Sequence, residues 1–281
     1  MATFTNQASL SYNNTVTNSN VVVGNIVETL EITKRAVVDT YSLGDSIAYV
    51  VTVVNSGATA YNSLVLSDDL GAYSFGQNTL YPLTYEDGSL SFYLNGVLQS
   101  TPTVTLDNGL VISGINIPAD SSATFVYQVR TNGFAPLDTS SSIVNTATLT
   151  GDAISEPLTA SETVTPDTEA RLSISKALSP VTVAENGQLT YTFVIQNTGN
   201  TATAATDNLI ITDTFDPILQ NITVTYNGDT LAQGTDYTYT NGTFTTVNGV
   251  ISVPAATYSQ SPDGTWVVNP GVSVITVTGT V

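Results

Sequence analysis

Apolar and polar residues alternate along most of this chain. Leu64-Val65-Leu66-Ser67-Asp68, Ser122-Ala123-Thr124-Phe125-Val126 and Tyr191-Thr192-Phe193-Val194-Ile195-Gln196-Asn197 place apolar side chains among Thr, Ser and Gln. That period of two is the mark of half-buried strands, and no helical period is sustained anywhere. Asn95-Gly96, Asn108-Gly109, Asn227-Gly228, Asn241-Gly242 and Asn248-Gly249 supply turns of the hairpin type between the runs. The pattern predicts an all-β protein.

The runs repeat. Tyr49-Val50-Val51-Thr52-Val53-Val54-Asn55-Ser56-Gly57 recurs as Tyr191-Thr192-Phe193-Val194-Ile195-Gln196-Asn197-Thr198-Gly199, 142 residues later. Leu30-Glu31-Ile32-Thr33-Lys34 recurs at the same offset as Leu172-Ser173-Ile174-Ser175-Lys176. Leu64 to Asp68 matches Leu209 to Asp213, and Ile117-Pro118 before Ser122 to Val126 matches Asn269-Pro270 before Ser273 to Val277. Repetition on this scale predicts two tandem immunoglobulin-like β-sandwich domains.

The ends break the symmetry. Repeat 1 closes with Ile143-Val144-Asn145-Thr146-Ala147-Thr148-Leu149 and a last strand near Ala160 to Val164, and repeat 2 reaches Val281 without either. Their match stands at the other end, in Phe4-Thr5-Asn6-Gln7-Ala8-Ser9-Leu10 and Val21-Val22-Val23. The expected organisation is an N-terminal donor-strand segment at 1–27, repeat 1 at 28–166, and repeat 2 at 167–281, lacking its closing strands. An open sandwich leaves backbone groups unpaired and an apolar stripe bare. Residues 1 to about 25 of one chain would then complete repeat 2 of another, by strand addition. Such a head-to-tail contact generates an open filament unless its rotation closes a ring. In the alternative, the strands fold back on repeat 2 of their own chain. A linker of about ten residues would have to pass the whole of repeat 1 at ~3.3–3.6 Å per residue.

Composition narrows the chemistry. Five cations against 23 acidic residues give a net charge of −18, which disfavours nucleic acid and anionic membrane surfaces as partners. With no Cys and no His, disulfides and the usual zinc and copper sites are excluded, and no cofactor is expected. No apolar run approaches a membrane span, and no secretory leader is visible at Met1 to Asn6.

The only two lysines, Lys34 and Lys176, occupy matching places in the repeats. Strand parity puts Lys34 with Leu30 and Ile32, Asn145 with Ile143, Ala147 and Leu149, and Asp68 with Leu64 and Leu66. Lys176, Asp213 and Asn6 follow the same rule, so all six point to the apolar side. A buried amine tends to lose its charge and becomes a nucleophile, and a buried carboxyl tends to keep its proton. Dry packing supplies proximity. The expectation is an isopeptide bond Lys34–Asn145 inside one domain, assisted by Asp68, and a bond Lys176–Asn6 between subunits, assisted by Asp213. Alternatively the lysine stems lie along apolar surface with their ammonium groups in water, as salt-bridge partners of the aspartates.

A strand lysine, a Tyr-x-(Val/Phe)-x-(Val/Ile)-x-Asn-x-Gly strand and turn, and an Asp ending the next strand together resemble the bacterial conserved-repeat domain of unknown function numbered eleven. Lys34, Tyr49, Asn55, Gly57, Asp68 and Asn145 carry the resemblance in repeat 1. Lys176, Tyr191, Asn197, Gly199 and Asp213 carry it in repeat 2, with Asn6 supplying the remaining piece. It implies a cell-surface or spore-surface protein of tandem immunoglobulin-like repeats. The Lys–Asn chemistry is similar to that of Gram-positive pilin and adhesin domains. The absence of a leader, sorting motif or anchor in this sequence fits a subunit assembled onto a spore, with an exported fibre subunit as the runner-up and the anchoring partner unidentified.

Other classes have weaker footing. Turnover catalysis would fall to carboxylate pairs such as Asp68/Asp69 or Asp213/Asp216, which strand-end and turn duties explain more simply. An adhesive or ligand-binding stalk would use tyrosines such as Tyr73, Tyr81, Tyr85 and Tyr258, residues that also simply favour strands. Calcium would need more than Ser67-Asp68-Asp69, Glu86-Asp87 and Pro262-Asp263-Gly264, since the loop spacing of a calcium hand is missing.

Overall fold

A computed structural model describes residues 2–26 and 29–281, so the expected segment boundary at 27–28 lies outside the described residues. Strands dominate, and the helical content described is one short turn, Ala205–Asp207. The chain divides into two compact units. Unit 1 holds the residues up to Asp39, Asp45–Thr131 and Val144–Val164, and unit 2 holds Thr40–Gly44, Asn132–Ile143 and Thr165–Val281.

Unit 1 is built from two sheets. One runs Val97–Leu98, Ser91–Leu94, Ser121–Thr131, Ser46–Asn55 and Leu30–Ala36 in order. The other runs Thr103–Leu106, Leu110–Ile117, Tyr61–Asp68, Ile143–Thr150 and Leu158–Pro166. Burial alternates along them: in Ser46–Asn55 every second residue from Ile47 to Asn55 is buried, and Ile143, Asn145, Ala147 and Leu149 alternate likewise. Tyr49, Phe125, Tyr127, Leu64, Leu66 and Ile112 are among the buried side chains.

Unit 2 has a five-stranded sheet ordered Leu172–Ser179, Gln188–Asn197, Gly271–Thr280, Gln220–Tyr226 and Asp229–Thr230. Its other sheet is smaller: Thr212–Thr214, Thr243–Thr246 and Tyr237–Thr240. A core of Phe193, Ile195, Phe215, Phe244, Ile275, Val277 and their neighbours fills the unit. The aspartate strand differs between the units. In unit 1, Tyr61–Asp68 is paired on both sides, by Leu110–Ile117 and by Ile143–Thr150, and it is eight residues long. Its counterpart in unit 2 is the three-residue strand Thr212–Thr214, paired on one side by Thr243–Thr246, and residues 208–211 are irregular.

Residues 2–26 form an arm. Ala2–Asn6 pairs antiparallel with Val22–Ile26, and Ser9–Tyr12 with Thr15–Asn18. Between the two ladders, residues 7–8 face residues 19–21, one extra on the return side, as in a β-bulge. Asn13 and Asn14 make the hairpin turn with φ of 47° and 61°, a left-handed conformation that asparagine tolerates well. Opposite Phe4 sits Gly24, where a Cβ would come within 2.3 Å of the Phe4 ring. Every side chain from Phe4 to Val23 is exposed, including Phe4, Leu10, Tyr12, Val16, Val22 and Val23.

The repeat motif turns out to be a backbone lock. Asn55 donates its side-chain amide to the carbonyls of Thr59 (2.8 Å) and Pro118 (2.7 Å) and accepts the Gly57 N–H (3.0 Å). Asn197 donates to Thr201 O (2.7 Å) and Pro254 O (3.0 Å) and accepts the Gly199 N–H (2.9 Å). Pro254 therefore holds the place of Pro118, which the sequence match gives to Pro270. The hairpin of Thr257–Gln260 with Trp266–Asn269 is an insertion that displaced the match. Asn95-Gly96, Asn108-Gly109, Asn227-Gly228 and Asn241-Gly242 have positive φ at both residues, whereas at Asn248-Gly249 only the glycine does.

Candidate functional site

In unit 1 the lysine, aspartate and asparagine come from three strands. Lys34 belongs to Leu30–Ala36, Asp68 ends Tyr61–Asp68, and Asn145 lies on Ile143–Thr150, where Ala147 pairs with Asp68. All three are buried, at 3%, 3% and 0% exposure. The Lys34 Nζ donates to Asp68 Oδ2 at 2.5 Å, and the Tyr127 hydroxyl donates to the same oxygen. Asp68 Oδ1 accepts the Leu70 N–H at 2.9 Å. The ammonium also sits 4.7 Å from the centroid of the Tyr49 ring. Burial lowers the Lys34 pKa, with the Asp68 carboxylate pulling the other way. The Tyr49 phenol is pushed up, first by burial, and the Tyr127 phenol is pushed up by burial and by the Asp68 charge.

Asn145 has an unusual status. Its Oδ1 and Nδ2 are both buried, with the Tyr49 hydroxyl buried beside them as their polar neighbour. The strand that carries Asn145 is held in register. Asp69 Oδ1 accepts the N–H of Thr146 at 2.8 Å and of Gly71 at 2.9 Å, and the Asp69 N–H donates to Thr146 O at 3.0 Å. Asp69 thus has a structural duty beside the site.

In unit 2 the pair recurs without its asparagine. Lys176 and Asp213 form an ion pair. Three rings surround the ammonium, Tyr191 at 4.4 Å, Phe215 at 5.3 Å and Phe193 at 5.5 Å to their centroids. Yet the Lys176 side chain is 40% exposed, against 0% for Lys34. Strand parity predicted burial for Lys176 and Asn6, and both differ. Leu172–Ser179 is an edge strand covered on one side only, and Asn6 sits on the arm, paired with Val22 and exposed. The neighbours of Lys176 are bare too. Leu172 is 41% and Ile174 57% exposed, where their counterparts Leu30 and Ile32 are buried (8%) and half-buried. Leu172, Ser173, Ile174, Ile195, Leu209, Ile210 and Ile211 line an apolar groove of about 170 Å³.

Tyr127 and the aromatic ring set around Lys176 escaped the sequence reading. Tyr127 shares inward parity with Ala123, Phe125 and Val129, a signal that marks core and not chemistry. Val277 takes its place in unit 2, since Tyr127 pairs with Tyr49 and Val277 with Tyr191.

No family model matches the chain, and no curated protein matches it. Among solved structures, BcpA, the major pilin subunit of Bacillus cereus, is similar over 95% of this chain and 73% of its own, at 11% identity and TM-score 0.37. The pilus backbone protein RrgB of Streptococcus pneumoniae is similar over 86% of this chain and 55% of its own, at 14% identity and TM-score 0.36. A C-terminal fragment of the major pilin GBS80 of Streptococcus agalactiae is similar over 87% and 91% respectively, at 12% identity and TM-score 0.36. A family 123 glycoside hydrolase from Clostridium perfringens is similar over 49% of this chain and 28% of its own, at 11% identity and TM-score 0.29. Among the described residues no helix is long and apolar enough to cross a membrane.

Proposed function

We propose that this chain is the structural subunit of an extracellular filament, for which a spore surface is the preferred setting. Subunits join head-to-tail when the arm of one chain enters the open groove of unit 2 in the next. The observation that carries this reading is the match between an arm and a gap. Phe4, Asn6, Ala8 and Leu10 repeat the pattern of Ile143, Asn145, Ala147 and Leu149, the strand that covers Asp68 in unit 1. The groove of unit 2 lies where that cover is missing, beside Leu172 and Ile174. The arm is itself a strand pair, as Ile143–Thr150 and Leu158–Pro166 are neighbours in their sheet.

Covalent locking follows from the same positions. In the Lys34 site, a proton passes from the ammonium to Asp68, and the neutral amine attacks the Asn145 side-chain carbonyl carbon. The new C–N bond forms and the old one breaks as the second Nζ proton passes to the departing nitrogen; it leaves as ammonia, takes up the proton held by Asp68, and restores the carboxylate. The full burial of Asn145 and the short Lys34–Asp68 contact support this reading. Lys176, Asp213 and the incoming Asn6 would repeat it at each joint. Electron microscopy of the purified chain tests the assembly. Filaments are expected from the full chain and none from a variant lacking residues 1–26; polymerisation of that variant would overturn strand donation.

A further inference from the structure

The two lysines differ in one respect that bears on when a joint becomes permanent. Lys34 is sealed by strands of its own chain, with no exposed side-chain surface. Lys176 has its carboxylate and its three rings in place, but its fourth side is open to water. In the free chain the Lys176–Asp213 ion pair stands in contact with water. Covering the site changes its proton balance, because desolvation disfavours the separated charges and favours the neutral amine and neutral acid. The arm that would cover it also carries the electrophile, Asn6.

We infer that arm docking itself switches on Lys176, so that every joint forms in two stages, a reversible strand exchange and then an irreversible bond. This rests on the filament reading above. Free chains keep Lys176 unreacted, while the Lys34 bond forms within each chain before assembly. The step balances. The Lys176 ammonium gives a proton to the Asp213 carboxylate, and Nζ attacks the Asn6 side-chain carbonyl carbon. The amide nitrogen takes the second Nζ proton, leaves as ammonia and picks up the Asp213 proton as ammonium. The carboxylate is restored, so no cofactor or oxidant is needed. The order has a structural use: a subunit that docks out of register can leave before the bond fixes it.

Having only two lysines makes the test direct. Full-length chain carrying Asn6→Ala can dock but cannot bond. It is treated with a small acetylating reagent as dilute monomer and as sedimented polymer, and the lysines are read by peptide mass mapping. Lys176 should acetylate readily in the monomer and at least tenfold more slowly in the polymer, with Lys34 protected in both. In wild type, the branched Lys176–Asn6 peptide should be absent from dilute monomer and appear after concentration with a lag behind light scattering. Equal labelling of Lys176 in monomer and polymer would overturn the switch. So would Asn6→Ala chains that fail to polymerise while wild type does, because docking would then depend on the bond. Failure of wild type to polymerise at all would instead remove the filament reading beneath it.

Discussion

At the scale of single residues, the Lys34 site decides between a bond and a salt bridge. Asp68 accepts from Lys34, Tyr127 and the Leu70 N–H, so removing it strands a buried ammonium. Asp68→Ala should cost about 3–5 kcal/mol by denaturant unfolding, and it should keep the mass of the one ammonia that the proposed bond would remove from wild type. Asn145→Ala should likewise retain that mass, and it exposes a pH signature. Its Lys34 remains free to titrate with a folded pKa below the unfolded value of 10.5. Between those two values the unfolded chain binds more protons than the folded one, so stability rises with pH. Tyr49 and Tyr127 act oppositely, because their folded pKa values lie above the unfolded value of 10.0 and stability falls as pH climbs past it. Asn145→Ala should therefore gain stability with rising pH up to about that point and then lose it. Wild type, its amine consumed, should show only the loss. Parallel pH profiles of the two proteins would argue that the amine is free in both.

At the scale of elements, the strands were readable because their burial is periodic, and the turns because Asn-Gly demands a left-handed backbone. Parity alone gave Asn145, Lys34 and Asp68 inward positions, and all three are buried. It did not foretell the exposure of Lys176 and Asn6, since parity says which way a side chain points in a sheet and not whether a second layer covers it. The hairpin at Thr257–Asn269 escaped for another reason: it separates Pro254 from the strand that Pro118 directly precedes in repeat 1. The arm offers a clean handle on docking. Phe4 and Leu10 are 55% and 66% exposed, so Phe4→Asp and Leu10→Asp should change the stability of the chain by no more than about 0.5 kcal/mol. Each should nonetheless abolish filaments, because the charge would have to enter an apolar groove. Ile174→Asp, on the groove side, should do the same while leaving the arm intact, and sedimentation would register all three.

At the scale of the whole molecule, the chain carries both an arm that displays Phe4, Asn6 and Leu10 and an apolar groove beside Lys176, which the filament proposal joins. Contacts of that kind are head-to-tail and propagate. The proposal gives Lys34 an asparagine of its own unit, Asn145, and Lys176 one from the next subunit, Asn6. The most direct measurement mixes nitrogen-15-labelled and unlabelled monomers before assembly, then boils, digests and sequences the branched peptides. The account predicts Lys176–Asn6 branches in which one half is heavy and the other light, alongside Lys34–Asn145 branches whose halves always match. Lys176–Asn6 branches with matched halves only, or no such branch in boiled polymer, would contradict it.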